Sequence, residues 1–427
     1  MVERDVPLGI CSIAPSCELI PENRITATAN GGAIVVRNQA ASMRITNVEA
    51  YGVNVGLLGL ADGGVGPYVT NHNEVTDVDR VLVRVDTDEG ISGWGEMRTF
   101  LNPAVTVSIL EKGIAPIVTG HSPFDVESFR RLLFIEYTNA DMFFSAVEIA
   151  CWDIIGKVLD RPVYELLGGT NAPNMTERRK DVTYETQDGI EIAYCLGILS
   201  PEKSRRYAAR ARKEGYTVLK TKAGRDWQQD VQRIIAMHDE VDGELEFRLD
   251  PNQGWRFDEA VRVAGALTEA GIFVQYLEQP IRVDAHQTLA SLRDRTPQPI
   301  APNEDTYIAH NLRELIERGA LDVAVVDMTP VGGISGLRQI AAIAYDAGVP
   351  LVHHCAFDLG VRTAAIAHAV TGIPGFNLPP DCAYYTWEDD IIERPFAIEN
   401  GRLPVRDEPG LGVIVDEDKL EKFAVPT

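Results

Sequence analysis

The sequence predicts an α/β protein: a (β/α)-barrel of the TIM type preceded by a separate α+β domain. Three observations carry this. From about Glu191, short β-branched runs alternate with amphipathic segments such as EKSRRYAARARKEG, FDEAVRVAGALTEAG, HNLRELIERGA and GLRQIAAIAYDAG, the pattern of repeated βα units. The polar residues closing successive apolar runs are Tyr194, Lys222, Asp250, Glu278, Glu304, Asp327, His354 and Asp381, separated by 28, 28, 28, 26, 23, 27 and 27 residues. That spacing fits one strand, one helix and two loops. A chain of 427 residues with 45% hydrophobic composition can bury a large core in one large or two moderate domains.

In chain order, residues 1–42 hold Pro, Asn, Gly and Ala in no helical or strand period, and we read them as a disordered leader or an upstream extension of the reading frame. Met43 opens the alternating run MRITNVEAYGVNV, a second strand follows at 80–86, and the tight turn DEG leads to helical segments at 103–117 and 145–159. These form the α+β domain, 43–175. The barrel occupies 176–386, and the tail 387–427 reads as short strands and turns returning to the first domain.

Charge narrows the function. With 63 acidic against 40 basic residues the net charge is -23, which repels phosphate backbones and argues against nucleic acid or an anionic membrane as partner. Only 9 of the basic residues are lysine, and the acidic ones are spread along the whole chain. Such a surface suits a cytoplasm of high salt. Cys11, Cys17, Cys151, Cys195, Cys355 and Cys382 contain no C-x-x-C pair, so neither a disulfide framework nor a zinc site is indicated. No apolar run reaches membrane length and MVERDVPLGICS does not resemble an export signal. A cytoplasmic enzyme is expected.

Catalytic groups in such barrels come from the C-terminal ends of several strands, so polar residues at consecutive ends share one mouth. Lys220 and Lys222 in VLKTK lie two apart and project from one face; like charges held close depress each other's pKa, which suits a general base. An isolated K-x-K is more often an exposed pair. Asp250, Glu278 and Glu304 each close a run. Singly, such acids are more often solvated or capping groups; together they would repel unless a cation lay between them, and all-oxygen ligands suit magnesium or manganese. Asn303 and Glu304 are neighbours that face opposite ways on a strand, so one of them binds the metal, and Glu304 supplies the better charge. Asp327 and His354 end consecutive runs, where the aspartate orients the imidazole as acid or base. His353 should point away. Gly332 and Gly333 read as a turn into a helix, and GWGE as a strand crossing in the first domain.

K-T-K, D-P-N, E-Q-P, an acidic third ligand, an aspartate followed five residues later by GG, and a histidine closing a strand together resemble the mandelate racemase branch of the enolase superfamily. The likeness runs from Met43 to the C-terminus and includes GWGE and VEIACWDIIGKVLDRPVYELLGG. It implies a (β/α)7β barrel, an α+β capping domain completed by the C-terminal tail, and a symmetric homo-oligomer. It also implies abstraction of the proton alpha to a carboxylate, with magnesium stabilising an ene-diolate. Lys222 would be one base and His354 with Asp327 the opposite acid or base. Asp250, Glu278 and Glu304 would hold the metal, Lys220 would neutralise the substrate carboxylate, and Asn252 and Asp381 would contact substrate.

NLPPDCAYYTWEDDI and FAIENGRLPVRDEPGLGV look like the acid-sugar dehydratases, especially the glucarate dehydratase group. The expected reaction is dehydration of an aldonate or aldarate to a 2-keto-3-deoxy acid. Ala356, where that group tends to carry an amide two residues after its histidine, and the Asn303/Glu304 pair depart from its pattern, so the expected substrate is an acid sugar or related hydroxy acid rather than glucarate in particular. The alternative is a racemase or epimerase of a hydroxy acid or amino-acid derivative. A Schiff-base aldolase and a non-catalytic binding barrel explain the residues less well. The stretches LLGLADGGVGPYVTNHN and RTFLNPA are candidate lids.

Overall fold

The computed structural model describes residues 25–29, 32–36, 43–137, 140–170 and 189–427. It divides into two units, Met1–Ser42 and Met43–Thr427. The first holds an antiparallel hairpin of Ile25–Ala29 and Gly32–Val36, in a stretch whose sequence shows no strand period. The boundary expected at 175/176 and the cysteines Cys11 and Cys17 lie outside the described residues.

The second unit begins with an antiparallel meander of β1 (Ile45–Gly56), β2 (Asp77–Thr87) and β3 (Ser92–Arg98). The DEG turn joins β2 to β3, with Gly90 at φ 73°, a conformation glycine adopts without strain. Val81, Val83 and Val85 of β2 alternate onto a core shared with Phe144, Val147 and Ile154 of α1 (Asp141–Leu159). Gly93 and Gly95 of GWGE permit the closest approach, because a Cβ at either would collide with the carbonyl oxygens of Ala150 and Ala146. The helical stretch expected at 103–117 is present; it starts at Pro103, where Asn102 caps the Val105 N–H at 2.9 Å.

The barrel alternates strands and helices: β4 (Ala193–Leu196), α2 (Pro201–Lys213), β5 (Val218–Lys222), α3 (Trp227–Glu240), β6 (Glu246–Asp250), α4 (Phe257–Glu269), β7 (Tyr276–Glu278) and α5 (His286–Arg293). It continues with β8 (Ile300–Ala301), α6 (Ala309–Glu317), β9 (Ala324–Val326), α7 (Ile334–Asp346), β10 (Leu351–His353), α8 (Gly360–Gly372) and β11 (Asp381–Cys382). Parallel ladders run in the order β8-β7-β6-β5-β4-β11, with β9 and β10 as a separate pair. Backbone contacts link the two arcs: among them, Asp322 and Val325 N–H donate to Ile300 and Pro302 O at 2.8 and 3.0 Å, and Leu351 bridges Phe376 ahead of β11.

Period-two alternation decides which side chains enter the barrel. Tyr276, Ala301, Val325 and Val352 pack together as an inner cluster, while Leu219, Leu249 and Leu277 point out to the helices. Tyr194 is corrected by the same rule. It packs outward against Tyr216 and Tyr385, at ring distances of 5.1 and 4.8 Å, and its neighbour Cys195 faces the mouth. The tail returns to the first domain: Arg402–Leu403 pairs with Ile190–Glu191, Leu57 bridges Trp387, and Val53 bridges Ala424. No described helix is long and apolar enough to cross a membrane.

Candidate functional site

A cavity of about 340 Å³ opens at the C-terminal ends of the barrel strands. Lys220, Lys222, Asn252, Glu304, His354 and Asp381 line it together with Asn303. Asp250 and Glu278 lie buried beneath, within reach of the lysines, and Asp327 is buried behind His354. Of the strand-end residues singled out from the sequence, all but Tyr194 are gathered at one end of the barrel.

The parallel register places Lys222 beside Asp250 and Lys220 beside Arg248. Lys222 Nζ lies 2.5 Å from Asp250 Oδ2. Lys220 Nζ reaches the carboxylates of Glu278 and Asp381 at 2.7 Å and Asp250 at 3.2 Å. The mutual depression expected of the lysine pair does not hold at Lys220. Burial alone would lower it, but Asp381, Glu278 and Asp250 hold its ammonium well above the ordinary lysine value. Lys220 is a fixed positive charge. Asp381 has both oxygens engaged, Oδ2 by Lys220 and Oδ1 by Arg248 at 2.8 Å.

Asp250 and Glu278 are pushed apart electrostatically. Burial raises both, yet Lys222 and Lys220 bring Asp250 below the usual carboxylate range, whereas burial and the Asp250 charge push Glu278 well above it. A cation placed between them would relieve that conflict. One ligand atom each from Asp250, Glu278 and His354 falls within 4.8 Å of the others. Glu304 accepts from Gln253 at 3.2 Å through Oε1, while its buried Oε2 has no hydrogen-bond partner. Asn303 Oδ1 is already taken by the Tyr307 hydroxyl at 2.7 Å. These donors fit a hard divalent ion.

The expectation that Asn303 and Glu304 face opposite ways is corrected. The strand ends at Ala301, and Glu304–Thr306 is already a helical turn, so both residues border the cavity. Period two applies only inside a strand.

His354 Nδ1 lies 3.3 Å from Asp327 Oδ2, which leaves Nε2 for the cavity side. Burial would raise Asp327, but Arg362 and the bond to His354 hold it well below the usual carboxylate value. Arg362 pairs with both Asp327 and Asp358. His353 points away and accepts the Met328 N–H at 3.2 Å; burial lowers it to about 4.

Several contributors escaped the sequence reading because only the fold makes them neighbours. Glu96 of GWGE is fully buried and accepts from Leu359 and Arg362 N–H at 2.7 and 2.8 Å, joining the first domain to the start of α8. Glu148 does the same for α7, accepting from Ile334 and Ser335 at 2.7 and 2.8 Å beside Gly333. Asn71, inside a candidate lid stretch, donates to Pro251 O at 2.7 Å and Asn252 O at 3.1 Å, and so holds the loop after Asp250. Tyr68, Thr70, His72 and Arg98 of the first domain line the cavity, so both candidate lid stretches reach it.

A capped barrel whose mouth sets a lysine and a histidine over buried carboxylates defines a class of acid–base enzyme. Residues 203–419 match the family model for the enolase C-terminal domain-like fold, and residues 61–168 match that of the mandelate racemase / muconate lactonizing enzyme N-terminal domain. The chain belongs to the mandelate racemase/muconate lactonizing enzyme branch of the enolase superfamily. It is 26% identical to N-succinyl-L-Arg/Lys racemase of Bacillus cereus, over 90% of this chain and 98% of that one. It is 28% identical to cis-3-hydroxy-L-proline dehydratase of Roseibium aggregatum, over 87% and 96%. The crystal structure of an enolase from Streptomyces coelicolor superposes with a TM-score of 0.76 at 30% identity, over 89% of this chain and 96% of that one. These relatives are enzymes of two kinds, isomerases and lyases.

Proposed function

We propose that this protein dehydrates an acid sugar, an aldonate or aldarate, to a 2-keto-3-deoxy acid by removing the proton alpha to its carboxylate. The observation that carries the reading is the pair Lys222 and His354, which line one cavity directly above Asp250 and Glu278. A carboxylate's alpha proton is very weakly acidic, and its loss puts a second negative charge on the same group. Fixed positive charge must meet it. Lys220 supplies such a charge, held in place by Asp381 and Glu278.

Lys222 takes the alpha proton. His354, oriented by Asp327, gives a proton to the beta hydroxyl as its C–O bond breaks, releasing water; the enol left behind tautomerises to the 2-keto acid. Asp250, Glu278 and Glu304 would hold magnesium, or manganese in its place. When bound, such an ion would supply positive charge for the carboxylate as negative charge develops on it. Lys222, paired with Asp250, is the amine at the cavity wall that takes the proton. Asn252 lies in the cavity for a substrate hydroxyl, and Asp381 acts by positioning Lys220.

Epimerisation would use the same two bases without loss of water. A Schiff base at Lys220 is disfavoured, since an amine held as ammonium by three carboxylates is no nucleophile. Phe134, Ile135 and Tyr137, exposed on the helix Val126–Tyr137, are consistent with a homo-oligomer, and we take the enzyme as cytoplasmic. Incubation with magnesium and a panel of aldonic and aldaric acids, with semicarbazide detection, tests the proposal. A keto product abolished by chelator, Lys222→Ala or His354→Ala is expected; deuterium uptake without keto product would replace dehydration by epimerisation.

A further inference from the structure

Arg98 closes β3 and stands half-buried in the wall of the cavity that holds His354 and Glu304. Among the described residues its guanidinium has no hydrogen-bond or ion-pair partner; its one stacking contact is Phe100, 5.7 Å from the ring centroid. The other cations of the cavity are committed, Lys220 and Lys222 to buried carboxylates and His354 to Asp327. Arg98 differs in position too. Its charge acts on Tyr307 and Asp327, on the β8 and β9 side of the mouth, whereas both lysines come from β5.

A planar guanidinium is matched to the fork of a carboxylate. In a chain of net charge -23, an uncommitted cation at a pocket wall is also the feature that draws an anion in. We propose that Arg98 binds a second carboxylate of the substrate, remote from the one that reacts, so that the enzyme acts on a dicarboxylic acid rather than a monocarboxylic one. Its place beside the His354 side of the mouth puts that group at the far end of a short chain whose reacting carboxylate meets Lys220. The cavity of about 340 Å³ is of the size that takes such a small molecule. The assignment of ends rests on the proposed function; the presence of a second anion subsite does not.

Binding of non-reacting acids separates the two. Adipate and hexanoate, six-carbon acids with two and one carboxylates, are titrated calorimetrically in magnesium into the wild type, Arg98→Met and Arg98→Lys. The wild type should prefer adipate by at least roughly tenfold, the worth of one charge-assisted hydrogen bond. Arg98→Met should erase the preference while leaving hexanoate affinity unchanged, and Arg98→Lys should retain part of it. No preference for adipate in the wild type, or a preference that survives in Arg98→Met, overturns the proposal. Absence of keto product and of deuterium uptake with every sugar acid would instead overturn the reaction, with the adipate preference still standing.

Discussion

Glu96 of the first domain accepts the backbone N–H of Arg362 in the barrel at 2.8 Å, and the side chain of that arginine pairs with Asp327, the partner of His354. The placement of the His354 imidazole is thus tied to a carboxyl group in another domain. Burial and the nearby Asp358 push the Glu96 carboxyl up to about 7. An unfolded glutamate loses its proton near pH 4, so between about pH 4 and 7 the folded chain keeps a proton that the unfolded chain has lost, and stability falls as pH rises through that window. In urea unfolding, the free energy lost between pH 4.5 and 7.5 should be larger for the wild type than for Glu96→Gln by on the order of 3 kcal/mol. Parallel pH dependences would contradict this.

Asp327 is held well below the ordinary carboxylate range, so the stability it contributes is present at neutral pH and is lost only as pH falls below the normal aspartate value. Asp327→Asn removes one of the two carboxylates around the buried Arg362 guanidinium. We expect a loss of about 2 to 4 kcal/mol in thermal unfolding. The turnover number should fall roughly a hundredfold or more, since His354 loses its orienting partner.

The two bases should fail differently. Lys222→Ala should abolish both alpha-proton exchange and keto product, a loss on the order of 10² to 10⁴-fold. His354→Asn should block release of water yet leave exchange of the alpha proton at Lys222 measurable by NMR. Equal loss of both signals in the two variants would mean that they do not divide the work as proposed.

Dialysis against chelator should abolish activity, and magnesium or manganese should restore it. Glu304 Oε2 is without a hydrogen-bond partner while Asn303 Oδ1 is occupied by Tyr307. Glu304→Gln should therefore weaken manganese binding by roughly a hundredfold, and Asn303→Ala by only a few-fold. The reverse order would make Asn303 the third ligand.

The barrel was legible because its repeat rests on local physics: each βα unit spends a similar number of residues, so Lys222, Asp250 and Glu278 fall 28 apart and end up side by side. The acidic and basic groups of the mouth were legible for the same reason. Tyr194 was misread because a residue near a strand end can belong to either face, and a shift of one reverses it. The Asn303/Glu304 choice failed because period two was applied past the end of the strand. Asn71 and Arg98 were legible only as members of candidate lid stretches and Glu96 only as part of GWGE, while Arg362 went unmarked, since each acts across a distance of chain that only tertiary packing closes.

The central claim is that Lys222 removes the proton alpha to a carboxylate, and proton NMR of substrate panels in heavy water tests it most directly. With magnesium, the wild type should either incorporate deuterium at the alpha carbon or release a deuterated keto acid from at least one dicarboxylic sugar acid, and Lys222→Ala should do neither. Exchange or turnover that persists undiminished in Lys222→Ala would contradict the account.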